Sequence, residues 1–254
     1  MDSTVDARAT AFGGYADEYD RWRPSYPEEA VKWLLPDGAS RVADVGAGTG
    51  KLTASLLSVG LSVAAIEPDV RMLDVLRRGH PGAEAHLAGA ASLPLGDESV
   101  DAVLVADAWH WFPHEAAVRE TERVLRSGGW LGLVWVGPSD ADGWARDLRQ
   151  LDPDHRDDDW RTTTEYRKPD VPGLPVEELE EARFDWIWPM SPQHLRGYMA
   201  TNSACAFMTN ADREEHLDKA EAIITAACGV AGQPTVAWRH TAFCVRWTPA
   251  AGRA

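Results

Sequence analysis

Residues 41–51 read Arg-Val-Ala-Asp-Val-Gly-Ala-Gly-Thr-Gly-Lys, and this stretch decides the fold. An apolar run, Arg41–Val45, is interrupted only by Asp44 and passes straight into Gly46, Gly48 and Gly50. Helical periodicity then resumes over Lys51–Val59 and stops at Gly60, a favoured residue just past a helix C-terminus. A strand, a glycine turn and a helix in this order form a site for a nucleotide-like ligand. Glycine tolerates positive φ and lets the backbone approach a ligand with no Cβ in the way. The spacing excludes two ligands. A dinucleotide loop would place its third glycine at position 51, which is Lys51; a P-loop would need glycine at 45 and Ser or Thr at 52, where Val45 and Leu52 stand. An acidic residue followed by G-x-G-x-G remains.

Outward from this loop, strand-like and helix-like segments alternate. Glu28–Leu35 reads as a helix stopped by Pro36-Asp37-Gly38, Leu61–Ile66 as a strand, Val70–Arg78 as a helix closed by Gly79, and Ala83–Ala88 as a weaker strand. Val100–Val105 is continuously apolar, which suits a strand covered on both faces. Pro113 opens a helix that Ser127-Gly128-Gly129 is expected to end, before a fifth strand at Trp130–Val136. Five βα repeats predict an α/β fold with a doubly wound parallel sheet. The pattern breaks at Gly137-Pro138. From Pro138 to Arg183 there are 14 Asp and Glu against 7 Arg and Lys, punctuated by prolines 138, 153, 169, 172 and 175, which reads as an insertion with short helices. Phe184–Trp188 alternates as a strand, Ser191–Ala200 and Ala211–Cys228 read as helices, and Thr235–Arg239 with Thr241–Trp247 as a closing pair of strands. Residues 1–137 are thus expected to form a cofactor-binding core with an N-terminal cover, 138–200 a lid, and 201–254 a helix and the strands that close the sheet.

The bulk properties narrow the partners. A formal charge of −15 repels phosphate backbones unless a basic patch offsets it, and the arginines are interspersed with Asp and Glu, so nucleic acid is disfavoured. Three cysteines without a C-x-x-C pair indicate neither a disulfide framework nor a zinc knuckle. No apolar run is long enough to cross a membrane, and the first residues carry no apolar signal region, so a cytoplasmic protein is expected.

The acidic residue and G-x-G-x-G loop resembles motif I of the class I S-adenosylmethionine-dependent methyltransferases. Ala106-Asp107-Ala108-Trp109-His110-Trp111-Phe112 after the fourth strand resembles the H-W-F signature of the type 11 subgroup, which includes trans-aconitate methyltransferase-like enzymes. Phe12, Tyr15, Tyr19, Arg23-Pro24 and Tyr26-Pro27 resemble the same subgroup's entry segment, which closes over the cofactor. The resemblance implies a Rossmann-like, doubly wound, mostly parallel seven-stranded sheet with helices on both faces and a lid insertion after strand five. It also implies S-adenosylmethionine as cofactor and S-adenosylhomocysteine as product. Gly46, Ala47, Gly48 and Gly50 would lie beneath the methionine tail and ribose, with Asp44 near the amino end. Glu67, followed by Pro68 at the end of the second strand, could accept both ribose hydroxyls. Met72 could cover the adenine or belong to the core, and the backbone of Ala90 and Ala91 would read the adenine edge, since the acidic residue many relatives carry there is missing. Tyr15 and Arg23 are the candidates for the closing role, Arg23 toward the cofactor carboxylate. Asp107 and Trp109 would face the cofactor's methyl end.

His110 has two readings: a general base for the acceptor, or part of the pocket wall. With His114 it makes an H-x-x-x-H pair, but Pro113 lies between them and no further ligand completes a set, so no metal is expected. Twelve tryptophans, among them Trp186 and Trp188 on one face of a strand, could line a pocket for a planar acceptor or simply fill the core. Arg21, Arg23 or Arg196 could hold a single carboxylate of the acceptor. Methylation of a small molecule, a carboxylate or an aromatic or secondary metabolite, is the expected function; the alternatives are methylation of RNA or protein, and a protein that binds S-adenosylmethionine for non-methyl chemistry. The acceptor and the oligomeric state are not legible.

Overall fold

The computed structural model describes residues 11–139, 143–151, 171–202, 205 and 208–249. Residues 1–10, the Phe12 side chain, and Pro153 and Pro169 of the acidic stretch lie outside the described residues. The described strands form one seven-stranded sheet in the order β3-β2-β1-β4-β5-β7-β6. They are β1 (Arg41–Val45), β2 (Ser62–Glu67), β3 (Glu84–Leu87), β4 (Val100–Ala106), β5 (Leu125–Pro138), β6 (Glu180–Met190) and β7 (Val236–Trp247). β7 runs antiparallel to both its neighbours, and the pairs among β1 to β5 are parallel.

The side-chain period of two makes the two cores. Val42, Val63, Ala102 and Leu104 face helices α2 (Glu28–Trp33) and α3 (Lys51–Ser58), while Ala43, Val45, Ile66, Val103 and Val105 face α5 (His114–Val124). Helix α4 (Val70–Gly79) packs Leu76 against Ala47 and Ala65. A separate apolar core lies at the far end of the sheet. Helices α6 (Gly143–Arg149), α7 (Pro192–Ala200) and α8 (Asn210–Ala231) bring Leu148, Leu195, Met199, Leu217 and Ile224 onto Trp238 of β7. These three helices share that core, two of them from residues 138–200 and one from 201–254, and β6, which falls within residues 138–200, belongs to the sheet.

Three local expectations change. Gly79 does not close its helix from outside, since α4 includes it and His80 is the cap. Thr235–Arg239 and Thr241–Trp247 are one 12-residue strand, whose partners are β5 and β6. Ser127-Gly128-Gly129 does not end a helix: α5 stops at Val124, and Leu125 already pairs with Val100. The glycines serve an irregularity within β5, where Gly128 takes φ 82° and the register shifts between Val100 and Ala102.

Trp109 packs in the core with Val103 and Val105, 1% exposed, its indole N–H donating to the Pro172 carbonyl at 3.1 Å. Trp109→Ala is therefore expected to cost about 3–5 kcal/mol of stability. A urea unfolding curve checks it, and a loss well below 1 kcal/mol would contradict this placement.

Candidate functional site

The strand order reverses its direction of growth between β1 and β4, and the carboxyl ends of adjacent strands open there into a cleft. Its floor is the glycine loop. The Gly46 and Ala47 N–H groups both donate to the Ile66 carbonyl of β2, at 2.8 and 3.0 Å, and Gly50 N–H closes a tight turn onto the Ala47 carbonyl at 2.9 Å. Gly46, Gly48 and Gly50 take φ of 72, 57 and 94°, the left-handed region that favours glycine. Their reasons differ. A Cβ on Gly46 would come within 2.8 Å of Ala108, and one on Gly50 within 2.6 Å of the His80 ring, whereas one on Gly48 would meet just the Met72 methyl, at 3.7 Å. Gly46 and Gly50 let protein pack on the loop; Gly48 leaves its side of the loop open.

Two carboxylates flank this loop. Asp44 is fully buried; Oδ2 accepts from the Thr53 hydroxyl at 2.6 Å, while Oδ1 is buried and has no hydrogen-bond partner among the described residues. Burial pushes Asp44 up to about 6, against the lowering effect of Thr53. An unmatched carboxylate oxygen lining a cleft fits an ammonium group. Glu67, at the end of β2, accepts from Gly48 N–H and Asp69 N–H, each at 2.9 Å, and burial pushes it up to about 7. Each of its oxygens keeps a second lone pair, so the same carboxylate can brace the loop and accept from hydroxyls.

The roof comes from the N-terminal segment. Helix α1 (Ala16–Trp22) is tied to the core by ion pairs Asp17–Arg78 at 2.8 Å and Asp20–Lys51 at 3.3 Å. Lys51, the residue that broke the dinucleotide spacing, lines the cleft. At its other end α1 meets α7. Trp22 lies flat against Gly197 of α7, where a Cβ would overlap the indole. The Arg23 guanidinium donates from Nε to Thr201 Oγ1 at 3.0 Å and from Nη2 to the Thr201 carbonyl and Asn202 Oδ1 at 2.8 and 2.9 Å. It is sandwiched by the rings of Tyr19 and Tyr198, at 5.1 and 5.0 Å. Asp107 follows β4 directly at φ 51°, its carboxylate accepting from the Tyr26 hydroxyl at 3.0 Å and from Val136 N–H at 3.1 Å. Burial and this carboxylate raise Tyr26 well above the usual phenol range.

Arg23, Asp44, Gly46, Ala47, Gly48 and Asp107 thus line one cleft, as the sequence groups them. Glu67 and Met72 abut its loop, and Ala90 is buried, whereas Pro68 and Ala91 are exposed. Gly50 serves the N-terminus of α3, and Tyr15 lines a second cavity rather than this cleft. Trp109 points into the core. His110 is exposed, its ring 4.5 Å from that of Trp111, and His114 Nε2 is 3.2 Å from the Trp109 carbonyl. The sequence reading missed Thr53 as the partner of Asp44, and it placed Tyr19 and Tyr26 in the entry segment without assigning them to the site. Thr53 had a signal, since a residue in the first turn of the helix after a glycine loop faces back toward the strand. One expectation is overturned. Arg196 cannot serve a substrate carboxylate, because it is held by Glu214, Asp218 and Glu221 of α8 at 2.5, 2.7 and 3.1 Å.

The buried carboxylates set a pH dependence. Both are raised from ordinary values of 3.8 and 4.5, so the fold keeps their protonated forms and loses that stability as pH rises through about 6 and about 7. Binding of a cation at Asp44 needs the ionised form and runs the other way. The ligand-free protein is expected to melt higher at pH 5 than at pH 7 relative to an Asp44→Asn, Glu67→Gln double variant. Affinity for an ammonium-bearing ligand should fall about tenfold per pH unit below pH 6. Thermal melts and calorimetry across this range check both signs; a flat affinity would exclude Asp44 as the cation's partner.

Residues 43–133 match the family model described as a methyltransferase domain. The chain is 40% identical over 238 residues to an uncharacterized methyltransferase of Mycobacterium tuberculosis, covering 94% of this chain and 95% of that protein. It is 36% identical over 113 residues to malonyl-[acyl-carrier protein] O-methyltransferase of Methylococcus capsulatus, 42% of this chain and 41% of that one. Among solved structures, one from Anaeromyxobacter dehalogenans, provisionally assigned as a type II methyltransferase, superposes with a TM-score of 0.62 at 25% identity, covering 88% of this chain and 96% of that one. None of these matches specifies the trans-aconitate-like subgroup.

Proposed function

We propose a small-molecule acceptor for this chain, which belongs to the class I S-adenosylmethionine-dependent methyltransferases. Family and fold imply S-adenosylmethionine as the cofactor. When bound, it supplies a sulfonium methyl that the acceptor's lone pair takes in line as the carbon–sulfur bond breaks, leaving S-adenosylhomocysteine. The observation that carries the assignment of its site is the pair of buried carboxylates flanking the open side of Gly48. In this reading Asp44 Oδ1 accepts from the ammonium, Glu67 accepts from the ribose hydroxyls, and Gly48 admits the cofactor against the loop. Met72, beside Gly48, covers the adenine, with Ala90 and Ala91 beyond it. Tyr19, Tyr26 and Arg23 roof the cleft and exclude water, so alignment supplies most of the rate. Asp107 fixes the turn after β4, and the exposed His110 beyond it is the candidate to take the acceptor's proton.

A small acceptor is favoured over RNA because the cleft lies under a cover helix docked to the lid, and because the chain carries a net charge of −15. Incubation with methyl-labelled S-adenosylmethionine and a fractionated cell extract tests it. Label is expected among small molecules; label confined to precipitable RNA or protein would overturn it.

A further inference from the structure

A second cavity, of about 370 Å³, lies between the cover helix and the lid. Tyr15, Glu18 and Trp22 wall it on one side, and Met208, Asn210 and Arg213 on the other. None of these residues falls in the stretch 43–133 that matches the methyltransferase-domain model, so the cavity lies outside that part of the chain. It adjoins the cleft. Thr201 lines the cavity and holds Arg23, which lines the cleft, and Tyr15 lies within the fields of both Arg23 and Arg213.

Arg213 distinguishes this space. It is half-buried, its Nη2 donates to the Ala200 carbonyl at 3.3 Å, and among the described residues it forms no ion pair. Arg196, by contrast, is held by three carboxylates of the same helix α8. A half-buried guanidinium without a carboxylate has several N–H donors left for a ligand. The Tyr15 phenol lines the same cavity and stays protonated, burial outweighing the two arginines, so it brings no charge. Trp22 and Met208 give apolar surface, while Glu18 and the overall charge of −15 oppose a polyanion. We propose that this cavity takes the methyl acceptor and that the acceptor bears a single carboxylate, held by Arg213, on an apolar body. The inference rests on the methyl-transfer reading above.

Calorimetric titration of the protein with 4-phenylbutyrate and its uncharged amide, with and without S-adenosylhomocysteine, tests it. The acid should bind about tenfold more tightly than the amide at low salt, the scale of one charge-assisted hydrogen bond. Arg213→Gln should abolish that preference, Arg213→Lys should keep most of it, and Arg196→Gln should leave it intact. Equal binding of acid and amide, a preference that survives Arg213→Gln, or no binding of either at millimolar concentration overturns the proposal. Failure of the methyl-transfer reading shows separately, as absence of S-adenosylhomocysteine binding before either probe is added.

Discussion

Glu67→Ala is expected to weaken S-adenosylmethionine binding by about a hundredfold or more. In the proposed arrangement the carboxylate accepts from two ribose hydroxyls, and hydrogen bonds to a charged group are worth roughly 1.5–3 kcal/mol each. The same oxygens hold Gly48 N–H and Asp69 N–H at 2.9 Å, so their loss also frees the loop and the turn into α4. Glu67→Gln keeps one carbonyl acceptor and should fall between the two. Calorimetry reads the affinity, and circular dichroism separates it from unfolding. An affinity within threefold of the parent, in a folded variant, would remove Glu67 from the site.

Gly46→Ala should be nearly as damaging, through the backbone. At φ 72° an L-residue pays about 1–2 kcal/mol, and its Cβ would sit 2.8 Å from Ala108 Cβ and 3.1 Å from the Phe112 ring, an overlap worth about 1–3 kcal/mol more. The loop can relieve that overlap by moving toward the cleft, so cofactor affinity should fall at least about tenfold along with stability. Gly60→Ala is the control. Its φ is 87°, but nothing lies within 4 Å of the added Cβ, so it should cost the dihedral strain alone and leave binding unchanged. Equal effects of the two substitutions on affinity would show that close packing of Gly46 against the turn after β4 does not matter.

Much of the architecture was legible along the chain because its causes are local. β1 spans the residues its apolar run marked, and α3 begins at Lys51, directly after the loop. Gly38 and Gly60 take positive φ where they were read as stops. Reading failed where a glycine had two possible uses. Gly128 and Gly129 looked like a helix stop, but the partner strand decides that Leu125 is already paired. The closing strands were split at Arg239-His240, although that register pairs continuously across β6.

The candidate site divides along the same line. The loop, Asp44 and Glu67 follow one another at strand ends, and strands adjacent in a parallel sheet bring their ends together, so the residue types and their spacing were enough to nominate them. The orphaned oxygen of Asp44 and the turn at Asp107 needed coordinates. Arg196 and Arg213 show the limit most plainly. Arg196 stands among uncharged neighbours and Arg213 beside Asp212, Glu214 and Glu215, and of the two only Arg196 was a candidate substrate anchor from the sequence. Packing of α7 on α8 neutralises one with three carboxylates and leaves the other facing a cavity beside a buried phenol. The sequence by itself determined the family's fold and the form of the glycine loop, because backbone dihedrals and side-chain period are set by near neighbours. The tertiary structure alone decided which charges are already matched, because a charge's partner is chosen by distance in space, and that pairing controls what a ligand must bring.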